Sequence, residues 1–316
     1  MKVGIIGNGL VGSTAAYALM MRRSANEIVM VDANQKRATA EAADIQHAVP
    51  FIHAADVYNG TYKDLSGSKI IIIAAGASQK PGETRLALLE RNALILEEII
   101  SKSIENTPDA IFIIATNPVD IITHLASIIA EKFGVPSSRV IGTGTTLDTA
   151  RFRSLLGKYL GVDAQHVHGY VIGEHGDSEV LVWSSIGVGG IPLNDFIKFR
   201  GLDFNDDVKK RIDGDVRNAA YKIIDGKGST HYGIGGAIVR LVDVIARDSR
   251  AILTVCTRTN NIEGVDDVTV SLPHLISGNG EFGTLPLKLN DEEKAGLQRS
   301  AKIIRDKIDE YFSRRG

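Results

Sequence analysis

Three closely spaced glycines near the start of the chain place the strongest constraint on its fold. Residues 7–12 read Gly-Asn-Gly-Leu-Val-Gly, between a short apolar run at residues 3–7 and an alanine- and leucine-rich segment at residues 13–21. A buried strand, a tight glycine turn and a helix in this order predict the first part of a βαβ unit. The second glycine allows a phosphate to approach the backbone, and the helix N-terminus offers it N–H groups.

An acidic residue completes this unit. A second apolar run, at residues 28–31, ends at Asp32. A strand that ends in an acid about 20 residues after the glycine turn is typical of dinucleotide-binding units. The carboxylate can accept hydrogen bonds from the adenosine ribose, whereas its charge would repel a 2′-phosphate. The sequence therefore predicts a site for NAD rather than NADP.

The alternation of strands and helices continues to about residue 143. The further elements predicted in this part are strands at residues 57–58, 69–75, 110–115 and 139–142 and helices at residues 36–48, 86–103 and 119–132. Alternating elements form a doubly wound parallel sheet, which binds ligands at the carboxyl ends of its strands. We therefore predict an α/β fold with an N-terminal Rossmann-type domain.

The pattern changes near residue 144, where shorter strands and more glycines begin. The elements predicted there are helices at residues 147–160, 205–225 and 230–247, strands at residues 167–172, 180–186, 251–259 and 268–272, and a last helix that opens at Asn290. Glu293 would complete a capping box at the start of that helix. We predict an NAD-binding domain at residues 1–145 and a C-terminal α+β substrate domain at residues 146–316.

Composition argues against several classes of protein. The chain has 316 residues, 44% of them hydrophobic, which suffices for two domains with a sizeable core. A net charge of −2 gives no case for nucleic acid binding, and no apolar run reaches the ~20 residues of a membrane span. The single cysteine, Cys256, argues against disulfides and multi-cysteine metal sites and fits a reducing cytoplasm. With a strand opening the chain instead of a signal peptide, we expect a cytoplasmic protein.

The residues best suited to chemistry gather around His175. It lies in Gly-Glu-His-Gly-Asp at residues 173–177, and imidazole is the side chain best matched to proton transfer near neutral pH. Asp148 and Arg151 share one face of a predicted helix. Taken singly, these features are an ordinary turn and an ordinary surface ion pair. Together with Arg85 they supply a carboxylate to fix the histidine tautomer and arginines to bind a carboxylate or polarise a carbonyl.

Several motifs also occur in the order of a known family. They are residues 7–12, QKPGETR at 79–85, TNPVD at 116–120, GTGTTLDTARFR at 142–153, GEHGD at 173–177 and STHYGI at 229–234. Along essentially its whole length, the sequence resembles the L-lactate/malate dehydrogenase family, most closely its bacterial L-lactate dehydrogenase members. The resemblance implies an oxidoreductase that uses NAD to interconvert pyruvate and L-lactate.

The resemblance also implies the roles of the catalytic side chains. His175 would be the general acid/base that gives a proton to the pyruvate carbonyl oxygen as NADH delivers hydride. Asp148 would orient the imidazole, and Arg151 would anchor the substrate carboxylate. Arg85 would polarise the carbonyl when its mobile loop closes and excludes water.

Further residues are implied to contact the substrate or the cofactor. Asn117 would bind near the substrate oxygen and the nicotinamide, and its bond to Pro118 is expected to be cis, as in relatives. Thr230 would border the methyl end of the substrate. The residues implied to contact the cofactor are Gly7, Gly9, Val11, Gly12, Asp32, Gly76, Ala77, Asn117 and Thr143.

Gln79 is the residue that discriminates between substrates. Malate dehydrogenases carry arginine at this place, to pair with the second carboxylate of oxaloacetate, and a buried carboxylate without a partner is costly. Glutamine therefore favours pyruvate and argues against oxaloacetate; a dehydrogenase for another 2-oxo acid, such as oxaloacetate (a malate dehydrogenase) or a branched acid, is the alternative. Two proteins of other functional classes are further alternatives. One is an NAD-dependent glycoside hydrolase, which needs a metal site that contains cysteine and histidine, and the other is a catalytically silent NAD-binding protein.

Regulation is also implied by the resemblance. In bacterial lactate dehydrogenases that fructose 1,6-bisphosphate activates, an arginine and a histidine bind this effector at a subunit interface. Arg153 and His168 occupy the corresponding places, and structural roles on a helix face and in a strand are the alternatives. Bacterial relatives further imply a homotetramer that acts in pyruvate fermentation after glycolysis.

Overall fold

The computed structural model describes residues 1–77 and 85–314. The strands in this part of the chain are β1 (Lys2–Ile6), β2 (Glu27–Val31), β3 (Asp56–Asn59), β4 (Ile70–Ile73), β5 (Ile111–Ile114), β6 (Val140–Gly142), β7 (Val167–His168), β8 (Val171–Ile172), β9 (Val180–Leu181), β10 (Gly187–Val188), β11 (Ile191–Pro192), β12 (Ala251–Ile262), β13 (Val265–Ser277) and β14 (Gly280–Thr284). The helices are α1 (Leu10–Met21), α2 (Gln35–Ala48), α3 (Arg85–Asn106), α4 (Val119–Lys132), α5 (Thr146–Leu160), α6 (Leu193–Arg200), α7 (Asp206–Arg217), α8 (Ala219–Lys227), α9 (Tyr232–Ala246) and α10 (Asp291–Ser313).

The first six strands form the predicted doubly wound parallel sheet. Their order across the sheet is β3-β2-β1-β4-β5-β6, and every neighbouring pair is parallel. The four isoleucines of β4 are completely buried because helices cover both faces of the sheet. In such a sheet, the strand order reverses beside β1, which places a ligand cleft at the carboxyl ends of β1 and β4.

The C-terminal half extends this sheet instead of forming a separate one. Strand β12 pairs antiparallel with β6 through Cys256 and Gly142, and β13 and β14 continue the sheet beyond β12. A side chain at position 142 would lie 2.3 Å from the Cys256 sulfur, so the close approach of β6 and β12 requires glycine. The sheet therefore joins the two halves of the chain through a single pair of strands.

Some predicted elements in the C-terminal half are broken. The expected helix at residues 205–225 is two helices, α7 and α8, since the side-chain amide of Asn218 donates to the Gly214 carbonyl and ends α7. The expected strand at residues 167–172 is interrupted after His168, and of residues 180–186 only β9 is a strand. Helix α6 and strands β10, β11 and β14 were not predicted.

The last helix agrees with its sequence signal. Asn290 accepts a hydrogen bond from the Glu293 backbone N–H, and the Glu293 carboxylate accepts one from the Asn290 N–H, which completes the predicted capping box. The apolar stripe of this helix is buried on the core; its members are Leu297, Ala301, Ile304, Ile308 and Tyr311. In the described ranges, no helix combines the length and the apolar character needed to cross a membrane.

Candidate active site

A cleft of about 670 Å³ opens at the carboxyl ends of β1, β2 and β4. Five residues predicted to contact the cofactor line it, namely Gly7, Gly9, Asp32, Gly76 and Ala77. The chain enters this cleft from three parallel strands, as expected for ligand binding at a switch in strand order.

The three glycines of the first turn are suited to their positions for different physical reasons. Gly7 has a φ of +93°, and a Cβ there would lie 2.3 Å from the Ala75 backbone nitrogen. A Cβ on Gly12 would lie 1.9 Å from the Gly7 carbonyl oxygen, so this glycine allows α1 to pack against the turn. A Cβ on Gly9 would meet no protein atom within 4 Å. The space above Gly9 lies at the start of α1, where backbone N–H groups suit a pyrophosphate.

The Asp32 carboxylate is placed to accept hydrogen bonds from the hydroxyls of a ribose. One carboxylate oxygen accepts the Asn8 backbone N–H at 2.6 Å, and the other accepts the Asn34 N–H at 2.8 Å. These contacts fix the carboxylate at the mouth of the cleft, where each oxygen has a further lone pair for a ribose hydroxyl. The glycine turn and Asp32 thus match both the phosphates and the ribose of NAD.

His175, Asp148 and Arg151 come together as the sequence predicts. Nδ1 of His175 lies 2.6 Å from Oδ2 of Asp148, and Nη1 of Arg151 donates to Oδ1 at 2.7 Å. Asp148 is buried on α5, whereas the His175 side chain is 28% exposed. Because Nδ1 faces a carboxylate, it carries a proton, and Nε2 is the ring atom that can exchange protons with a ligand.

Electrostatics favour a protonated His175. Burial by itself lowers the pKa of the imidazole, but the hydrogen bond and charge of Asp148 outweigh burial and raise this pKa to about 9. Burial also opposes ionisation of Asp148, yet hydrogen bonds and charge from His175, followed by Arg151, hold the pKa of this carboxyl below its ordinary value. The pair is therefore an imidazolium held against a carboxylate at neutral pH.

Comparison with known proteins identifies the family. The family model of the lactate/malate dehydrogenase NAD-binding domain matches residues 1–142. The model of the α/β C-terminal domain of the same family matches residues 145–314. The chain belongs to the lactate/malate dehydrogenase family. The protein is therefore an NAD-dependent oxidoreductase, and its cleft at β1, β2 and β4 lies in the family's NAD-binding domain.

Several lactate dehydrogenases are similar to this protein over nearly the whole chain. An L-lactate dehydrogenase of Geotalea daltonii is 54% identical, covering 98% of this chain and 99% of the relative. One of Thermus aquaticus is 50% identical, covering 96% and 97%. The crystal structure of the minor L-lactate dehydrogenase from Enterococcus mundtii with ligands bound has a TM-score of 0.92 at 39% identity, covering 98% and 97%. A lactate dehydrogenase from a Medee basin deep-sea metagenome library has a TM-score of 0.94 at 37% identity, with 98% of each chain covered.

The histidine turn, residues 173–177, is held by distant parts of the fold. Gly173 has a φ of +90° and exchanges two backbone hydrogen bonds with Ser271 of β13. Oγ of Ser300, buried on α10, accepts the Glu174 N–H at 2.6 Å, and Lys307 donates to the Glu174 carboxylate at 2.9 Å. These contacts fix the backbone that carries His175.

Two buried carboxyls near this turn were not predicted as site residues. Oδ2 of Asp120, in the first turn of α4, accepts the His175 backbone N–H at 2.8 Å. Glu179 is buried just after the turn, and burial, followed by the charge of Asp148, raises the pKa of its carboxyl to about 8. Asp120 lies in the TNPVD motif, which could have pointed to it, whereas nothing local marks Ser300 or Glu179.

The other cofactor and substrate candidates occupy different places in the fold. Asn117 is exposed after β5, and its bond to Pro118 is cis, which confirms that expectation. Thr230 is half-buried between α8 and α9, and Thr143 is buried after β6. Val11 is half-buried in the first turn of α1 and packs on the core beside the sheet. These last three side chains and Asn117 do not line the β1–β4 cleft in the described part of the chain.

Two predicted site groups lie outside the described residues. They are Gln79, which falls between β4 and α3 in the sequence, and the side chain of Arg85, whose backbone begins α3. Cys256, which a cysteine-containing metal site would need, is completely buried in β12. Within residues 1–77 and 85–314, no group of three or more His, Cys, Asp or Glu side chains is arranged to hold a metal ion.

The proposed effector residues are neighbours. Nε of Arg153 donates to the Gly169 carbonyl at 2.9 Å, and its guanidinium lies 5.4 Å from the centre of the Tyr170 ring. His168, which precedes Gly169, is exposed on β7. The structure thus places Arg153 beside the strand segment that carries His168, next to a surface.

Proposed function

We propose that this enzyme is an NAD-dependent L-lactate dehydrogenase that interconverts pyruvate and L-lactate. The observation that carries the proposal is the arrangement of Asp148, whose two oxygens bind the His175 ring and the Arg151 guanidinium. A proton carrier and a cationic group for a carboxylate are thereby held together in the C-terminal domain. The L-lactate dehydrogenase relatives, which are 44–54% identical to this chain, support the same activity.

His175 would move the proton of the reaction. NADH, when bound, supplies the hydride for the carbonyl carbon of pyruvate. Nδ1 of His175 stays protonated and donates its hydrogen bond to Asp148. Nε2 is therefore the nitrogen that gives its proton to the carbonyl oxygen. The raised pKa keeps the ring protonated before this step, and Asp148 stabilises its charge. In lactate oxidation, the neutral ring accepts the hydroxyl proton at the same nitrogen.

Arg151 would bind the substrate carboxylate. Its guanidinium has five N–H donors, of which one donates to Asp148, so a planar pair can face a carboxylate. The Arg151 side chain is only 15% exposed, which strengthens a charged hydrogen bond. In the same proposal, Asn117 contacts the carbonyl oxygen, Thr230 borders the methyl group, and Arg85 polarises the carbonyl.

Gln79 would exclude a second carboxylate from the site. Support comes from its chemistry alone, because glutamine offers no positive charge to oxaloacetate. The test measures NADH oxidation with pyruvate, oxaloacetate and a branched 2-oxo acid in the parent and in the Gln79→Arg variant. We expect pyruvate to have the highest kcat/KM in the parent, and the variant to shift preference towards oxaloacetate. A parent that oxidises NADH faster with oxaloacetate would overturn the lactate assignment.

Activation by fructose 1,6-bisphosphate is a further part of the proposal. Arg153 and the exposed His168 lie on neighbouring elements, where Arg153 offers positive charge and His168 a hydrogen-bonding imidazole to a sugar phosphate. The effector should lower the KM for pyruvate in the parent and have no effect in the Arg153→Gln variant. Light scattering with and without the effector tests the proposed homotetramer. Unchanged kinetics at millimolar effector would contradict the proposed activation but not the proposed reaction.

We also propose a cytoplasmic location and a role in pyruvate fermentation, by analogy with the L-lactate dehydrogenase relatives.

A further inference from the structure

Asp120 joins the NAD-binding domain to the histidine turn. It lies in the first turn of α4 and is 3% exposed, and its Oδ2 accepts the His175 backbone N–H at 2.8 Å. The two residues are 55 positions apart in the chain. This hydrogen bond therefore ties the residue that carries the proton to a helix that follows the β5 strand of the parallel sheet.

The charge of Asp120 is not explained by this hydrogen bond. A neutral asparagine or serine oxygen could accept the same N–H. Oδ1 of Asp120 is buried and accepts no hydrogen bond from a described nitrogen or oxygen donor, and the side chain that hydrogen-bonds to this carboxyl is the Cys256 thiol, a weak donor. Leaving a carboxylate oxygen in this condition is costly. Such a group at an active site suggests that its ionisation has a use.

The groups that face Asp120 define what this use can be. They are His175 and Glu174 of the histidine turn and Cys256 of β12. His175 in turn faces the carboxyls of Asp148, Asp120 and Glu179. Among the groups that face Asp120, only His175 becomes positive near neutral pH. Burial raises the pKa of Asp120 to about 7, although the His175 hydrogen bond and charge oppose this.

We propose that Asp120 is a positioning residue that fixes the histidine turn and, as an anion, strengthens the hold of His175 on its proton. It acts through His175 and does not touch the substrate. The inference extends the proposed role of His175 in pyruvate reduction and rests on it for the kinetic test alone. Asp148 orients the ring from one side, and Asp120 holds the backbone and adds charge from another.

The test replaces Asp120 by asparagine, which keeps an oxygen for the His175 N–H and removes the charge. Histidine NMR of the full chain, with His175 assigned by its loss in His175→Gln, measures the imidazole titration directly. We expect the midpoint to fall by on the order of one pH unit. In the kinetic arm, the alkaline limb of kcat/KM for pyruvate should move by the same amount, so that kcat/KM at pH 9 falls by about fivefold.

The control is Asp195→Asn, which changes an exposed aspartate in the first turn of α6. Its His175 titration should match that of the parent. If Asp120→Asn does not fold, Asp120→Ser replaces it, because the hydroxyl can accept the same hydrogen bond without charge. An unchanged His175 midpoint in the folded variant overturns the inference. If the parent enzyme does not reduce pyruvate, the proposed function is wrong. The NMR titration then still tests the role of Asp120.

Discussion

At the scale of single residues, the environment of His175 determines what the site can do. The ring is partly exposed, but the carboxylate behind it is buried, and their hydrogen bond is 2.6 Å long. A charge-assisted hydrogen bond in a poorly hydrated place is stronger than the same contact on a surface. Asp148 therefore controls both the orientation of the ring and its charge.

Replacing Asp148 by asparagine should separate catalysis from cofactor binding. The amide preserves the shape of the carboxylate, but it no longer stabilises the imidazolium or selects the tautomer with Nδ1 protonated. We expect kcat/KM for pyruvate to fall by roughly 10²–10⁴-fold. Fluorescence titration should give a parent-like Kd for NADH, since Asp148 lies outside the β1–β4 cleft in the described residues. Parent-like turnover in this variant would contradict the assigned role.

Glu179 should make the stability of the protein depend on pH. Burial, then the charge of Asp148, raises the pKa of Glu179 to about 8 from an ordinary 4.5, against the opposing charges of Arg217 and His175. A carboxyl with a raised folded pKa stabilises the fold at low pH, and this contribution is lost as the pH rises through that value. Between pH 5 and pH 9, the parent should therefore lose about 4 kcal/mol more than Glu179→Gln, at about 1.4 kcal/mol for each pH unit between 5 and 8.

Urea unfolding at both pH values measures this difference. Glu292→Gln provides the matched control, because Glu292 is exposed on α10. The control should follow the parent at every pH. Equal losses in the parent and in Glu179→Gln would mean that Glu179 is ionised in the folded protein at much lower pH.

At the scale of elements, the strand–turn–helix unit at the start of the chain combines two demands. The turn must allow α1 to pack closely on β1, and it must leave the backbone open to the cofactor. Gly12 serves the first demand, since a Cβ would lie 1.9 Å from the Gly7 carbonyl. Gly9 serves the second, since the space above it contains no protein atom within 4 Å.

Alanine substitutions at Gly9 and Gly12 should therefore fail in different ways. Gly9→Ala should fold with a parent-like melting temperature but bind NADH more weakly by at least tenfold, because its methyl group fills space that the pyrophosphate needs. Gly12→Ala should lower the melting temperature even without cofactor, since backbone must move to relieve the contact. Thermal unfolding and NADH titration measure both effects. Identical phenotypes would show that the two glycines do not divide these functions.

At the scale of the whole molecule, the two halves share a sheet and a core. One buried cluster contains Ile73 and Phe112 of the parallel sheet together with Leu297 and Ile304 of α10. Helix α9 also packs against α1, where a Cβ on Gly235 would lie 2.7 Å from Thr14. A continuous core of this kind makes separate unfolding of the halves unfavourable.

We expect a single unfolding transition that NADH moves as a unit. Ligand that binds only the folded state adds about 2.7 kcal/mol of stability at a concentration of 100 times its Kd. Calorimetry with and without NADH, together with tryptophan fluorescence from Trp183 in the C-terminal half, measures whether both halves respond. Two transitions, of which NADH shifts only the first, would contradict the shared core.

Local patterns in the sequence were sufficient to predict the glycine turn that lines the β1–β4 cleft and most elements of the first half. Parallel strands buried on both faces leave continuous apolar runs, and glycine turns and helix caps have short-range signals. Helix α4 has the predicted bounds, and β4 and α2 differ from theirs by a few residues. In the second half, the break at Asn218 and the interruptions in the strands expected at residues 167–172 and 180–186 escaped prediction, because side-chain hydrogen bonds and short pairings leave little periodicity.

The sequence by itself determined the dinucleotide turn, the alternation that builds the parallel sheet, and the identities of His175, Asp148 and Arg151. Only the tertiary structure decided what holds His175 in place. Its backbone N–H is bound by Asp120, and its turn is fixed by Ser300, 126 positions beyond Glu174. Contacts across such separations depend on how helices and strands pack in space, and no periodicity of a local segment encodes them.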